Sequence, residues 1–275
     1  MSPATRSERV VIKIGTSSLV RAGRVDPAGP AALADAVVRL RADGGQPVLI
    51  ASGAIALGDA RLDAATRQTG PARQLAAAVG QGILFEAFRQ GLADRGLTAA
   101  QVLLTPPDLT GPEHRDGALA VLEGALHAGL VPVVNENDAV MVRNNDVLAA
   151  LVAAALGAER LVLLTDVPGL YESDPHRDAG ARRIPEVPLL TSEIEKLAGA
   201  SGAGPGTGGM SAKLCAAWIA AMAGVPTVIA AADAEDAVVR AVRRTATLPL
   251  MAAAMGIGHE ELVERILLGA FAPRD

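Results

Sequence analysis

Only three of the chain's 25 lysine and arginine residues are lysines: Lys13, Lys196 and Lys213. Where arginine is the default cation, a retained lysine marks a place where a compact ammonium fits and a planar guanidinium does not. Lys13 lies in the apolar run VVIKI, just before Gly15-Thr16-Ser17-Ser18. A glycine directly after a strand lets backbone N–H groups close on an anion, and the hydroxyls and the lysine add donors. A lysine alternating out of an ordinary strand gives the same pattern, but one facing an apolar layer unpaired is costly. Lys213 follows Gly206-Thr207-Gly208-Gly209-Met210-Ser211-Ala212 and falls in the first turn of an expected helix. Successive glycines free the amides to curl round phosphate oxygens at such a helix start. Gly204, Gly206 and Gly209 also spell GxGxxG, but no strand precedes them, and no Gly-Lys pair exists to make a Walker A loop. The chemistry these turns suggest is phosphate binding.

Three further polar turns follow apolar runs. Ser52-Gly53-Ala54 ends PVLIA and opens a helix, able to take a carboxylate or phosphate or simply to cap the helix. Asn135-Glu136-Asn137-Asp138 and Asn144-Asn145-Asp146 put seven amide or carboxylate groups within twelve positions. Amides for a carboxylate and acids for an ammonium suit a small zwitterion. Calcium is the rival ligand, but the EF-hand spacing with its central glycine is absent. Thr165-Asp166 ends LVLLT and can hold a base or ribose, or belong to a β-turn at Val167-Pro168-Gly169.

The elements that must carry these turns alternate. Strands are expected at 10–14, 47–51, 102–105, 131–135, 161–165 and 226–230, and helices at 27–43, 71–95, 112–128, 146–157, 191–198, 211–223, 234–243 and 259–270. Regular alternation implies a mostly parallel sheet with helices on both faces, a three-layer α/β/α sandwich. Ligands in such sheets sit beyond the carboxyl ends of the strands, where these turns lie. A single domain is expected, with an acceptor lobe at about 1–158, a nucleotide lobe at about 159–257 and a tail at 258–275.

Composition narrows the class. Among 275 residues half are apolar and 2% aromatic, so the core is aliphatic, as buried parallel strands require. A net charge of −5 argues against a nucleic-acid partner. Cys215 is the sole cysteine and there are four histidines, so neither a disulfide framework nor a Cys/His metal site is expected. The N-terminus lacks an apolar signal region, and the longest apolar stretch, Val147 to Ala158, is shorter than the roughly 18 residues a membrane span needs. A cytoplasmic protein without a membrane partner is the expectation.

The stretches VVIKIGTSSLV (10–20), ASGAIALG (51–58), LAAAVGQG (75–82), QVLLT (101–105), PVVNENDAV (132–140), LVLLTDVPGLYESDP (161–175) and GTGGMSAK (206–213) resemble the amino acid kinase family, and within it the members that phosphorylate glutamate. The resemblance implies ATP as donor, Mg²⁺ as cofactor and the L-glutamate γ-carboxylate as acceptor, with Lys13 and Lys213 on the transferring phosphoryl group and Asp146 orienting them. It implies acceptor binding by Ser52, Gly53, Ala54, Asn135, Asp138, Asn144 and Asn145. ATP binding falls to Lys13, Gly15, Thr165, Asp166, Thr207, Gly208, Gly209, Met210, Ser211, Ala212 and Lys213. A homo-oligomer, dimer or tetramer, is also implied. Many relatives carry a C-terminal RNA-binding-like domain, and the short form without it is expected here. The family usually reads Gly-Asp-Asn-Asp where this chain has Arg143-Asn144-Asn145-Asp146, after a shorter loop. If Asn144 faces the substrate ammonium, glutamate binds more weakly or derivatives modified at the α-amino group are tolerated. If Asp138 carries the ammonium alone, Asn144 is neutral. Other readings are a kinase of a glutamate analogue and a sensor without turnover; the retained lysines and Asp146 speak against the sensor.

Overall fold

The structure, a computed structural model, describes residues 8–141, 144–175, 177–178, 180–187, 191–199, 209–232 and 236–243. Its strands are β1 (Arg9–Ile14), β2 (Val20–Arg21), β3 (Arg24–Val25), β4 (Gln46–Ile50), β5 (Ala99–Leu104), β6 (Val131–Glu136), β7 (Arg160–Thr165), β8 (Leu170–Tyr171), β9 (Arg183–Ile184) and β10 (Thr227–Ala231). The helices are α1 (Ala28–Ala42), α2 (Ala54–Asp59), α3 (Ala64–Arg67), α4 (Ala72–Ala93), α5 (Pro107–Thr110), α6 (Pro112–His127), α7 (Asn145–Ala155), α8 (Ser192–Gly199), α9 (Met210–Met222) and α10 (Ala237–Arg243).

Six strands form one sheet in the order β10-β7-β1-β4-β6-β5, every pair parallel. Alternation along β1 sorts the core. Val10, Ile12 and Ile14 join Leu33 and Val37 of α1, Phe88 and Leu92 of α4, and Val238 of α10. Val11 faces the other way, into Leu122 of α6, Leu148 of α7 and Ile219 of α9. The result is the expected three-layer α/β/α sandwich. By the same period of two, Lys13 shares the face of Val11, toward α7.

The chain leaves β1 for β4, β6 and β5 on one side, then returns to β7 and β10 on the other. The order therefore reverses beside β1, at a switch point where parallel sheets open a crevice.

The long elements match the sequence pattern closely, and the differences are local. β5 begins at Ala99 rather than Val102 because Ala99, Ala100 and Gln101 pair with Val131, Pro132 and Val133. Neighbouring strand context overrides their weak strand propensity. The ribbons β2–β3 and β8–β9 have strands of two residues each, too short to leave a periodic signal. Pro106 and Pro107 follow the end of β5 and open the short helix α5. The expected helix at 259–270, with the rest of the tail 258–275, lies outside the described residues. Among the described residues no helix is long and apolar enough to cross a membrane.

Candidate active site

A cleft of about 760 Å³ opens beyond the carboxyl ends of β1, β4 and β7. Lys13 and Lys213 line it, one from β1 and the other from the first turn of α9. Both are buried, and both point at Asp146, whose side chain is fully enclosed. Lys13 Nζ lies 2.7 Å from Asp146 Oδ1 and Lys213 Nζ lies 3.5 Å from Asp146 Oδ2. One carboxylate thus holds two ammonium groups side by side at the cleft floor. Asp146 sits in the first turn of α7, where the helix dipole favours a negative charge.

Burial pushes the Lys213 ammonium below the usual lysine range; Asp146 opposes that shift and Lys13 reinforces it. The folded protein therefore releases this proton at a lower pH than the unfolded chain does. Between those two values the unfolded state holds more protons, so the cost of burying the charge is full at low pH and fades as pH rises. If the protonated form is the one that binds phosphate, kcat/KM for the phosphate-bearing substrate falls on an alkaline limb set below the ordinary lysine pKa. A kcat/KM profile against pH measures this, since it reports groups of the free enzyme.

The polar cluster after β6 is tied together at the start of α7. Asn144 Oδ1 accepts from the Asp146 backbone N–H at 2.8 Å and caps α7. Asn145 Oδ1 and Asn135 Oδ1 both accept from the Glu136 N–H, at 3.2 and 2.9 Å. Asn135 Nδ2 donates to Gln81 Oε1 of α4 at 2.7 Å. Asn144 is thus a helix cap, and asparagine and aspartate cap about equally well. On the resemblance to glutamate-phosphorylating members, Asn144→Asp is therefore expected to leave the KM for glutamate, and for an N-blocked glutamate, unchanged. Asn144→Ala is expected to cost about 1 kcal/mol in urea unfolding.

The cleft gathers Lys13, Gly15, Ser52, Gly53, Asp138, Asn144, Asn145, Thr165, Asp166, Gly209, Met210 and Lys213. Asp146 lies beneath the two lysines. Ala54 and Asn135 are buried and do not line the cleft, because Ala54 packs in the core and Asn135 is turned to Gln81. Ser211 and Ala212 do not line it either; they occupy α9 turns whose inward position is taken by Lys213. Thr207 and Gly208 lie outside the described residues. Gly53, not Ser52, caps α2: its φ is +119°, and a Cβ there would meet Val20 Cγ2 at 2.8 Å. Thr165 Oγ1 donates to Asp166 Oδ1 at 2.9 Å, so the pair after β7 is locally ordered.

Arg73, Asp59 and Tyr171 also line the cleft; Arg73 and Asp59 lie outside every motif, and Tyr171 lies within LVLLTDVPGLYESDP without being singled out there. Tyr171 is the sole tyrosine, a rarity that could have flagged it. Arg73, one arginine among many, carries no such signal. Among the described residues no group of three or more His, Cys, Asp or Glu could hold a metal ion.

The fold is one that solved structures of several small-molecule kinases share. Carbamate kinase from Giardia lamblia bound to AMP-PNP superposes with a TM-score of 0.61 at 17% identity, over 86% of this chain and 96% of that one. UMP kinase from Ureaplasma parvum gives 0.59 at 13% identity, over 86% and 95%. The sequence profile of the Amino acid kinase family matches residues 8–231, and the chain belongs to that family. Glutamate 5-kinase of Trichlorobacter lovleyi is 45% identical over 229 residues, 81% of this chain and 61% of the relative. Glutamate 5-kinase of Symbiobacterium thermophilum is 41% identical over 236 residues, 83% of this chain and 90% of the relative. The chain thus spans under two thirds of the first relative's length and most of the second's.

Proposed function

We propose that the protein transfers the γ-phosphoryl group of ATP to the γ-carboxylate of L-glutamate, giving L-glutamyl 5-phosphate and ADP, the first step of proline biosynthesis. The observation that carries this reading is the pair of buried lysines on Asp146, one from β1 at the switch point and one from the start of α9. The names of relatives 37–45% identical to the chain support glutamate as the acceptor.

A transferring phosphoryl group spreads its charge over its equatorial oxygens and needs positioning more than covalent help. Two ammonium groups fixed by one carboxylate are preorganised donors for those oxygens, and all three side chains are buried at the cleft floor. The carboxylate of glutamate is already a nucleophile, so no general base is required, and among the described residues no histidine lines the cleft. The acceptor lobe, about residues 1–158, holds glutamate between Ser52, Gly53, Asp138 and Asn145. The nucleotide lobe, about 159–257, holds ATP against Thr165-Asp166 and the start of α9, with Gly15 beneath the phosphates. Ala54 and Asn135 support the acceptor residues from behind. Thr207 and Gly208 complete the ATP contacts of this reading, while Ser211 and Ala212, which do not line the cleft, drop out of it.

Magnesium suits a site of this kind when it travels with the nucleotide. The described carboxylates form no cage, and Mg²⁺ is commonly held by substrate phosphates with one or two carboxylates. Asp166 is the cleft carboxylate beside the proposed nucleotide side. The ion neutralises charge on the phosphate oxygens when bound.

Trapping the acyl phosphate with hydroxylamine tests the reading across glutamate, aspartate and glutamate analogues. ATP-dependent hydroxamate from glutamate in preference to the others is expected. A stronger signal from another acceptor would reassign the substrate.

A further inference from the structure

The acceptor side of the cleft holds a cation that lies in no sequence motif. Arg73 lies in the first turn of α4 and lines the cleft with Ile55, Ala56 and Asp59 of α2. Its place is set by contact between α2 and α4. A Cβ on Gly58 would fall 1.8 Å from the Ala76 carbonyl oxygen, so the two backbones touch less than one turn from Arg73. That contact seats the start of α4 against the same wall that continues from Ser52 and Gly53.

The charges of the cleft then sort by position. Its cationic side chains among the described residues are Lys13, Lys213 and Arg73. The two lysines are committed to Asp146 at the floor. Arg73 stands at the rim, and among the described residues it makes no ion pair; neighbouring Asp59 faces Arg67 instead, at 3.4 Å. An amino acid with two carboxylates brings three charges to this side: one carboxylate that reacts at the lysines, an ammonium and a second carboxylate. Asp138 provides an anion for the ammonium. The second carboxylate is matched by a guanidinium, whose fork suits two-point binding of a carboxylate.

We propose that Arg73 is a specificity-determining residue that binds the α-carboxylate of the amino-acid acceptor. The inference rests on the glutamate reading above and deepens it: Arg73 selects acceptors with a carboxylate at the end opposite the reacting one. The reacting atoms lie elsewhere, so its loss acts on acceptor binding and spares phosphoryl transfer.

The test compares wild type with Arg73→Met, which keeps an apolar stem, and with Arg73→Lys, which keeps the charge but not the fork. Three quantities are read: the KM for glutamate, the KM for ATP, and the Ki of 4-aminobutanoate, which retains the reacting carboxylate and the amine but lacks the α-carboxylate. Losing a charge-assisted contact at an exposed rim is expected to raise the glutamate KM of Arg73→Met roughly tenfold, with Arg73→Lys between the two. Its kcat, its KM for ATP and the Ki of 4-aminobutanoate should stay within about threefold of wild type. An active wild type whose glutamate KM is unchanged in Arg73→Met overturns the inference alone. So does an equal loss for glutamate and 4-aminobutanoate, or a rise in the ATP KM instead. A wild type that forms no acyl phosphate from glutamate overturns the substrate reading and this inference together.

Discussion

Replacing Lys13 or Lys213 by alanine should each lower kcat by about 10²- to 10³-fold, the effect of removing one preorganised charged donor from a developing transition state. The expected loss is in kcat more than in KM, because the donors matter most where charge moves. Arginine should rescue neither variant. Each ammonium occupies a buried point between Asp146 and the cleft, and a planar fork has no room to lie there. Steady-state kinetics of the four variants measure this, and near wild-type turnover in both arginine variants would remove the lysines from the mechanism.

The second large effect belongs to Asp146. Asp146→Asn keeps the shape but leaves two buried ammonium groups facing each other without a counter-charge. Breaking a buried ion pair by removing one partner typically costs about 3–5 kcal/mol, because a charge is left uncompensated. Asp146→Asn is therefore expected to be among the most destabilising single substitutions, and also to lose turnover. The double variant Asp146→Asn with Lys13→Met should lose less stability than the two single losses summed, since one orphaned charge goes with the carboxylate. Such coupling is the signature of groups sharing one network. Strict additivity in urea unfolding would mean that the three side chains do not act as a unit.

How much of the site is legible in the sequence depends on the residue. The face of Lys13 follows from alternation in VVIKI, and its rarity marks it. That its partner is Asp146 lies beyond the pattern, because the two meet only when α7 packs across β1. The polar cluster at 135–146 is legible as a group with a purpose, but its division of labour is not. Asn144 caps the helix, Asn145 and Asn135 tie down the Glu136 amide, and Asp138 reaches the cleft; all four look alike in sequence. Arg73 is silent because its role depends on a contact between α2 and α4 that no local pattern encodes. The ribbons are silent for a simpler reason: two-residue strands have no period.

The central step of the proposed reaction is attack by a carboxylate oxygen of glutamate on the γ-phosphorus of ATP. Glutamate labelled with ¹⁸O in its γ-carboxylate tests it most directly. The oxygen that forms the new P–O bond stays on phosphorus when hydroxylamine attacks the carbonyl carbon and expels phosphate. The predicted result is released phosphate carrying a single ¹⁸O, in step with hydroxamate formed and ADP produced. Phosphate free of the label, released while ATP is consumed, would mean that water and not glutamate is the acceptor, and would contradict that step.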